Sequence, residues 1–309
     1  MKARFRSLAV LALSLSIAFT ACQKDKTVED TDYTTQSSAH SDDQSRFSSE
    51  SDAVSNDVNS VLDITAGFSG RTERITAICD ATVAVDTLSN PRTITITYNG
   101  TNCLGNRTRT GVVVVSMAAG VRWKNPGAIL TVSFQNLRIT RLSDNKSITI
   151  NGTQTYTNVS GGLLVNLPVV STITHTITSS NMSITFDNGS QRTWSVARKR
   201  VFTYDGGIVA TVTGTHVDGS ATGIAEWGTN RFGNTFVTQI SDPLVFRQSC
   251  SFRLTSGKVS HSTNLFNSYV IFGLDASGNP TTCPGSGTYY MKVVWTGPAG
   301  VTHTNIYPY

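Results

Sequence analysis

Two-residue alternation of apolar and polar side chains begins near Ile75 and continues almost to the end of the chain. Thr93-Ile94-Thr95-Ile96-Thr97-Tyr98 alternates as a half-buried strand must, because successive side chains on a strand point to opposite faces. The same pattern recurs over Val112–Met117, Ile129–Phe134, Ser147–Ile150, Ser171–Ile177, Ser183–Phe186, Thr193–Tyr204 and Ile208–Thr215. It returns over Thr222–Trp227, Thr235–Ile240, Phe252–Val259, Tyr269–Phe272 and Tyr289–Trp295. Turn signals are interspersed: Asn99-Gly100, Asn151-Gly152, Asp187-Asn188-Gly189, Asp205-Gly206-Gly207 and Asp218-Gly219. Asn-Gly and Asp-Gly pairs favour the tight turns that join antiparallel strands. Strands this close leave no room for helical crossovers, which excludes an α/β fold. The expectation is an antiparallel all-β body, either a β-sandwich or a long curved meander.

Cysteine usage agrees with an exported β protein. Apart from Cys22 there are four cysteines, Cys79, Cys103, Cys250 and Cys283. An even number in an exported chain reads as disulfides, and four cysteines allow three pairings. Cys79–Cys103 and Cys250–Cys283 are preferred because each is local and brackets a strand hairpin. No Cys-x-x-Cys or histidine cluster accompanies them, so no metal site is expected. The order of parts around the first pair (cysteine, two strands, cysteine, glycine, strand) recurs around the second, which leaves open a body of two similar halves.

The N-terminus sets the compartment. Lys2, Arg4 and Arg6 precede an apolar stretch over Leu8–Phe19, and Phe19-Thr20-Ala21-Cys22 follows. This is the plan of a secretory signal, and its apolar stretch is shorter than the roughly 20 residues a membrane-spanning helix needs. Thr20-Ala21-Cys22 resembles the lipobox of bacterial lipoproteins. That resemblance implies a signal peptide over residues 1–21 and a lipid anchor on Cys22, with two or more acyl chains holding stably. Residues 22–46 read as an acidic, disordered linker, since QKDKTVEDTDYTTQSSAHSDDQSR is nearly free of large aliphatics. As a flexible coil it would span roughly 25–30 Å. From Phe47 the pattern changes: Phe47, Val54, Val58, Val61 and Leu62 fall near helical spacing, predicting a short helix at the head of a body over residues 47–309.

Charge is unevenly distributed. Residues 22–60 hold three basic and nine acidic residues, net −6, whereas residues 61–309 hold 19 basic and 11 acidic residues, net +8. The basic residues are scattered along the chain, with Arg198-Lys199-Arg200 the one cluster. Such a surface keeps a domain soluble and can also attract anionic glycans or lipid headgroups.

No catalytic constellation is legible. His216 and Asp218 share a strand face, but no nucleophile or further ligand stands at a recognisable spacing. Asp187, Asp205, Asp218, Glu226 and Asp242 are the acids from which a glycosidase pair would have to be drawn. There is no Gly-x-Ser-x-Gly, His-Glu-x-x-His or phosphate loop. No catalytic residue, metal or cofactor is therefore expected, and no nucleic-acid partner. Among Trp123, Trp194, Trp227 and Trp295, the second and fourth lie in regular strands and read as core. Trp123, beside Lys124-Asn125-Pro126, sits at a turn and is the one ligand-binding candidate.

Several runs together resemble a group of uncharacterised outer-membrane lipoproteins of the Bacteroidota. They are Gln23-Lys24-Asp25, Pro91 to Tyr98, Asn99-Gly100-Thr101-Asn102-Cys103, Arg107 to Gly111, Pro126-Gly127 and Gln191-Arg192-Thr193-Trp194. The resemblance implies an outer-membrane, often surface-exposed lipoprotein with an all-β body. The resulting expectation is a membrane-anchored module without enzymatic activity, binding a glycan or an outer-membrane protein, or serving as a structural accessory. A hydrolase acting on extracellular polysaccharide is the alternative.

Overall fold

The computed structural model describes residues 33–65, 78–283, 287–296 and 300–309. A long helix, α1 (Thr34–Ile64), precedes fifteen strands that form one antiparallel sheet. Seven strands follow one another up and down: β1 (Ala81–Asp86), β2 (Arg92–Thr101), β3 (Arg107–Met117), β4 (Ala128–Arg141), β5 (Ser147–Asn158), β6 (Thr172–Phe186) and β7 (Gln191–Tyr204). The next position in the sheet is shared. β8 (Ile208–Gly214) pairs one half of β7, and β10 (Ala221–Thr229) pairs the other half, with the short β9 (His216–Asp218) on its flank. Then come β11 (Thr235–Arg247), β12 (Arg253–Thr263), β13 (Asn267–Leu274), β14 (Tyr290–Thr296) and β15 (Thr302–Pro308). The meander is therefore the architecture, and it curls around α1 rather than facing a second sheet. α1 bonds to side chains or carbonyls of strands from β2 to β15.

Bulges bend the sheet into this trough. In β3, β4, β5 and β6 the pairing slips at Thr110/Val112, Phe134/Leu137, Asn151/Gln154 and Ser179/Met182. An extra residue at each site raises local twist and re-aims the strand. It also shifts the phase of alternation: β4 buries Leu130, Val132 and Phe134, then Leu137 and Ile139. The runs Ser171–Ile177 and Ser183–Phe186 are thus one strand, β6, interrupted in phase by Asn181, whose φ is +54°. Gly111 is required at the β3 bulge. Its φ is +114°, and a Cβ there would stand 2.3 Å from the Asn136 carbonyl oxygen.

Of the five turn signals, Asp187-Asn188-Gly189, Asp205-Gly206-Gly207 and Asp218-Gly219 make turns. Asn99-Gly100 instead lies within β2, and Asn151-Gly152 belongs to the β5 bulge. Asn99 and Gly100 stay in register with Thr110 and Arg109. The turn residues were overruled there by continuous ladder bonding to β3, with the Asn99 N–H also donating to the Asp80 carbonyl at 2.8 Å.

Both preferred disulfides are formed, Cys79–Cys103 with Cα atoms 5.4 Å apart and Cys250–Cys283 with Cα atoms 5.3 Å apart. Each closes a hairpin, β1–β2 and β12–β13 respectively.

The helix corrects the sequence reading in two respects. It starts at Thr34 rather than Phe47, so it is 31 residues long and residues 34–46 are not linker. Ser37, His40, Ser41, Asp43, Gln44 and Arg46 are buried. Low hydrophobicity predicts disorder when the alternative environment is an apolar core. Here the surroundings are polar, because the sheet lines its trough with arginines. Residues 23–32 of the expected linker, and Cys22, lie outside the described residues.

Two apolar clusters fill the interior. One packs Phe47, Val54, Val58, Val61 and Leu62 of α1 against Ile94, Ile96, Val113, Val115, Val132 and their neighbours on β2 to β7. Each such aliphatic buries enough surface to stabilise the fold by about 1.5–3 kcal/mol. The other cluster, built on Leu167, Phe202, Val212, Phe246, Val270, Phe272 and Val293, contains none of the described side chains of α1. The helix thus turns its aliphatic stripe to the early strands and polar side chains to the later ones.

Candidate functional site

The chemistry of this protein concentrates in the seam between α1 and the trough. Strand alternation places Arg107 and Arg109 of β3 on one face, and likewise Arg198 and Arg200 of β7. Arg107 Nη1 donates to Glu50 Oε1 at 2.5 Å. Arg109 binds Asp80 through Nε and Nη2, each at 2.6 Å, and reaches Asp57 Oδ2 with Nη1 at 2.8 Å. Tyr98 donates its hydroxyl to the same Asp57 oxygen at 2.9 Å and lies under the Arg109 guanidinium. The adjacent Cys79–Cys103 bridge pins Asp80 in place, and Gly100 leaves space for its Cβ.

A second node centres on Asp52. It pairs with Arg198 and Arg200, while Arg198 also pairs with Glu226 and donates to Ser48 Oγ at 2.8 Å. All four charged side chains are almost completely buried. Burial brings Arg198 down to about 10, opposed by Asp52, so it remains a cation at neutral pH. The cluster Arg198-Lys199-Arg200, read as surface charge, is therefore split: Lys199 is exposed, and its two neighbours point inward.

Toward the start of α1 the seam is different. Arg231 holds Asp43, Arg141 reaches Asp42 Oδ1 at 3.0 Å, and Arg46 donates to the carbonyls of Ile139 and Lys146 at 3.1 and 2.5 Å. Arg192 donates to Gln44 Oε1 and lies over the rings of Trp194 and Phe236. Burial pulls its guanidinium down to about 9. His40 sits edge-on to Phe236 and His261, with ring centroids 5.2 and 5.0 Å away. Burial, together with Arg192, holds His40 and His261 neutral, the latter pulled down to about 3.

These carboxylates and guanidiniums bond one another, so the acids of the seam are not open to a substrate. Asp187, Asp205, Asp218 and Asp242 are exposed on separate turns or bulges, and Glu226 is held by Arg198. The acids named from sequence are thus not brought into a common cleft. His216 stacks on Trp227 at 4.1 Å, and Asp218 stays at the neighbouring turn. Among the described residues no group of three His, Cys, Asp or Glu side chains is placed to hold a metal ion.

Trp123, the ligand candidate, is 2% exposed and packs against His175 at 5.0 Å. The Asn158 amide donates to the Trp123 carbonyl at 2.8 Å and to that of Gly162 at 2.9 Å. The turn is external, but these bonds fold the indole beneath it, so Trp123 is core and not a stacking platform. Trp194 and Trp295 are core as expected.

Sequence reasoning missed the seam. Two signals pointed to it: the opposite net charges of residues 22–60 and 61–309, and arginines two apart on strands whose other alternate positions are apolar, as in Val196, Arg198, Arg200, Phe202.

No family model, curated protein or solved structure matches this chain.

Proposed function

We propose that this chain is an exported lipoprotein, tethered to the outer membrane through lipid on Cys22, and that it acts as a binding or structural accessory module without enzymatic activity. The observation that carries the reading is the run Phe19-Thr20-Ala21-Cys22 at the end of a short apolar stretch behind Lys2, Arg4 and Arg6. The two disulfides support an oxidising compartment. Likeness to Bacteroidota surface lipoproteins supplies the outer membrane as the place of attachment. The seam supports a module that recognises through its outside, because α1 already occupies the trough with its own charges matched. On this reading eleven residues, 23–33, separate the lipid from α1, about half the tether that composition alone assigns.

Metabolic labelling with palmitate in cells expressing the full chain tests the proposal. Label should enter the wild-type protein, which partitions with membranes, and both properties should vanish in Cys22→Ala. A Cys22→Ala protein that still partitions with membranes would overturn it.

A further inference from the structure

We infer that the β5–β6 loop is a lipid-contacting tip that inserts aliphatic side chains into an anionic lipid surface. The inference does not depend on the anchor at Cys22. The loop spans residues 159–171 and contains a 3₁₀ turn, Leu164–Asn166, and a four-residue helical turn, α2 (Leu167–Val170). Val165 is 64% exposed, Val169 86% and Val170 46%, and Pro168 between them is exposed too. Not one Asp, Glu, Lys or Arg occurs from Ser147 to Phe186, so the loop carries none of the charge that ordinarily solubilises a protruding segment.

The tip is held rigidly. Leu164 and Leu167 are buried in the second apolar cluster, and the Asn158 amide ties Gly162 to Trp123. The Asp63 carboxylate at the end of α1 faces the backbone N–H groups of Leu164 and Val165, where α1 and the 3₁₀ turn are in contact. Its valines are therefore presented outward by a fixed scaffold rather than left out by chance.

Charge and shape select the occupant. The β3–β4 loop lies alongside, with the Gly162 N–H donating to the Lys124 carbonyl at 2.8 Å. That loop exposes Arg122 and Lys124, and neither forms an ion pair among the described residues. Convex aliphatic loops flanked by unpaired cations fit a bilayer surface, where apolar tips sink below the headgroups and cations meet anionic lipid. Protein interfaces draw their affinity from Trp, Tyr and Arg seated in pockets, and valine is under-represented there. The tip also stands at the far end of α1 from Thr34, so it is separable from anything attached near residue 22.

The test uses the full chain with Cys22→Ala, so that no lipid is attached. An environment-sensitive fluorophore is placed at Val169→Cys or, as a control on the outer face midway along β5, at Thr153→Cys. With vesicles of phosphatidylcholine and phosphatidylglycerol at 70:30, emission from position 169 should shift to the blue and be quenched by a lipid-borne quencher, while position 153 stays unchanged. Arg122→Glu with Lys124→Glu should weaken vesicle affinity by at least about tenfold, each cation contributing roughly fivefold near an anionic surface. No shift at 169 on any vesicle, or an equal shift at 153, overturns the proposal. A shift that grows with protein concentration in the absence of vesicles overturns it as well, and assigns the tip to contact between copies of the chain.

Discussion

The two halves of α1 are buried alike and held differently. From Ser49 to Ile64 the helix sets Val54, Val58, Val61 and Leu62 into the first apolar cluster, and Glu50, Asp52 and Asp57 each meet an arginine. From Thr34 to Ser48 only Phe47 joins that cluster. Gln36 Oε1, Ser37 Oγ, both nitrogens of His40, Ser41 Oγ, Gln44 Nε2 and Arg46 Nε are buried without a hydrogen-bond partner among the described residues, against Glu50 Oε2, Asp52 Oδ2 and Asn59 Nδ2 in the later half. A buried polar atom without a partner costs about 1–3 kcal/mol, whereas a buried aliphatic is favourable by a similar amount. The later half therefore anchors the helix in the trough, and the earlier half follows because it is covalently attached and its acids find Arg141 and Arg231.

The contrast can be broken most forcefully in the later half. Val58→Asp buries an unpaired carboxylate in the first apolar cluster, at a cost of more than about 4 kcal/mol. The variant should lose its cooperative thermal transition by circular dichroism and become sensitive to trypsin throughout. A comparable loss from the equivalent change at Thr35, exposed in the earlier half, would mean that the two environments do not differ as described.

Removing one acid from each half gives the next largest difference. Asp52→Ala strands Arg198 and Arg200 in the interior with one fewer counter-charge, and should lower the unfolding free energy by about 3–5 kcal/mol. Asp42→Ala breaks a pair whose side chains are 31% and 37% exposed, and should cost less than about 1 kcal/mol. Urea titrations of the two variants measure both values. Equal costs would remove the distinction between them.

The remaining test is a titration rather than a substitution, and concerns the buried imidazoles of the interior. His175 and His261 are pulled down to about 3 by burial and nearby arginines, and His40 is lowered too. The unfolded chain takes up protons near pH 6.5 while these imidazoles stay neutral in the fold. Stability is then complete above about pH 6.5 and falls as pH drops toward 3, by up to about 1.4 kcal/mol per pH unit per histidine. Asp63, raised to about 6 by burial, and Asp43 and Asp57, raised by burial too, work in the opposite direction as pH falls, but the unfolded imidazoles take up their protons first, from about pH 6.5. Urea midpoints should fall from pH 7.5 to 5. His40→Phe should flatten that slope and raise stability at neutral pH by about 1 kcal/mol, since it exchanges two unpartnered nitrogens for apolar edge. A midpoint that is flat or rising toward pH 5 would sink this account.

Much of the sheet was legible because alternation is local. Thr93 to Tyr98 declares its inner face without reference to any neighbour, and Ile94, Ile96 and Tyr98 are buried as that pattern requires. Legibility failed where phase slipped. The bulge at Asn181 split one strand into two readable runs, and Asn99-Gly100 carries turn residues in a strand held straight by β3. Trp123 was misplaced for a related reason: its turn is external, but Asn158, 35 residues away, folds the side chain under it.

The candidate seam was not legible, although its parts were in view. The residues themselves specify an alternating β chain, local cysteine pairs and opposite charges on either side of residue 60. Each follows from neighbours in sequence or from composition. Only the tertiary structure joins those charges, by curling the sheet so that Arg107, Arg109, Arg198 and Arg200 converge on Glu50, Asp52 and Asp57. Hydrophobic patterning cannot register such a partner. A polar acidic segment has the same low hydrophobicity whether it meets water or an arginine-lined trough, and the free energy that separates the two comes from ion pairs between residues some 50 to 150 positions apart.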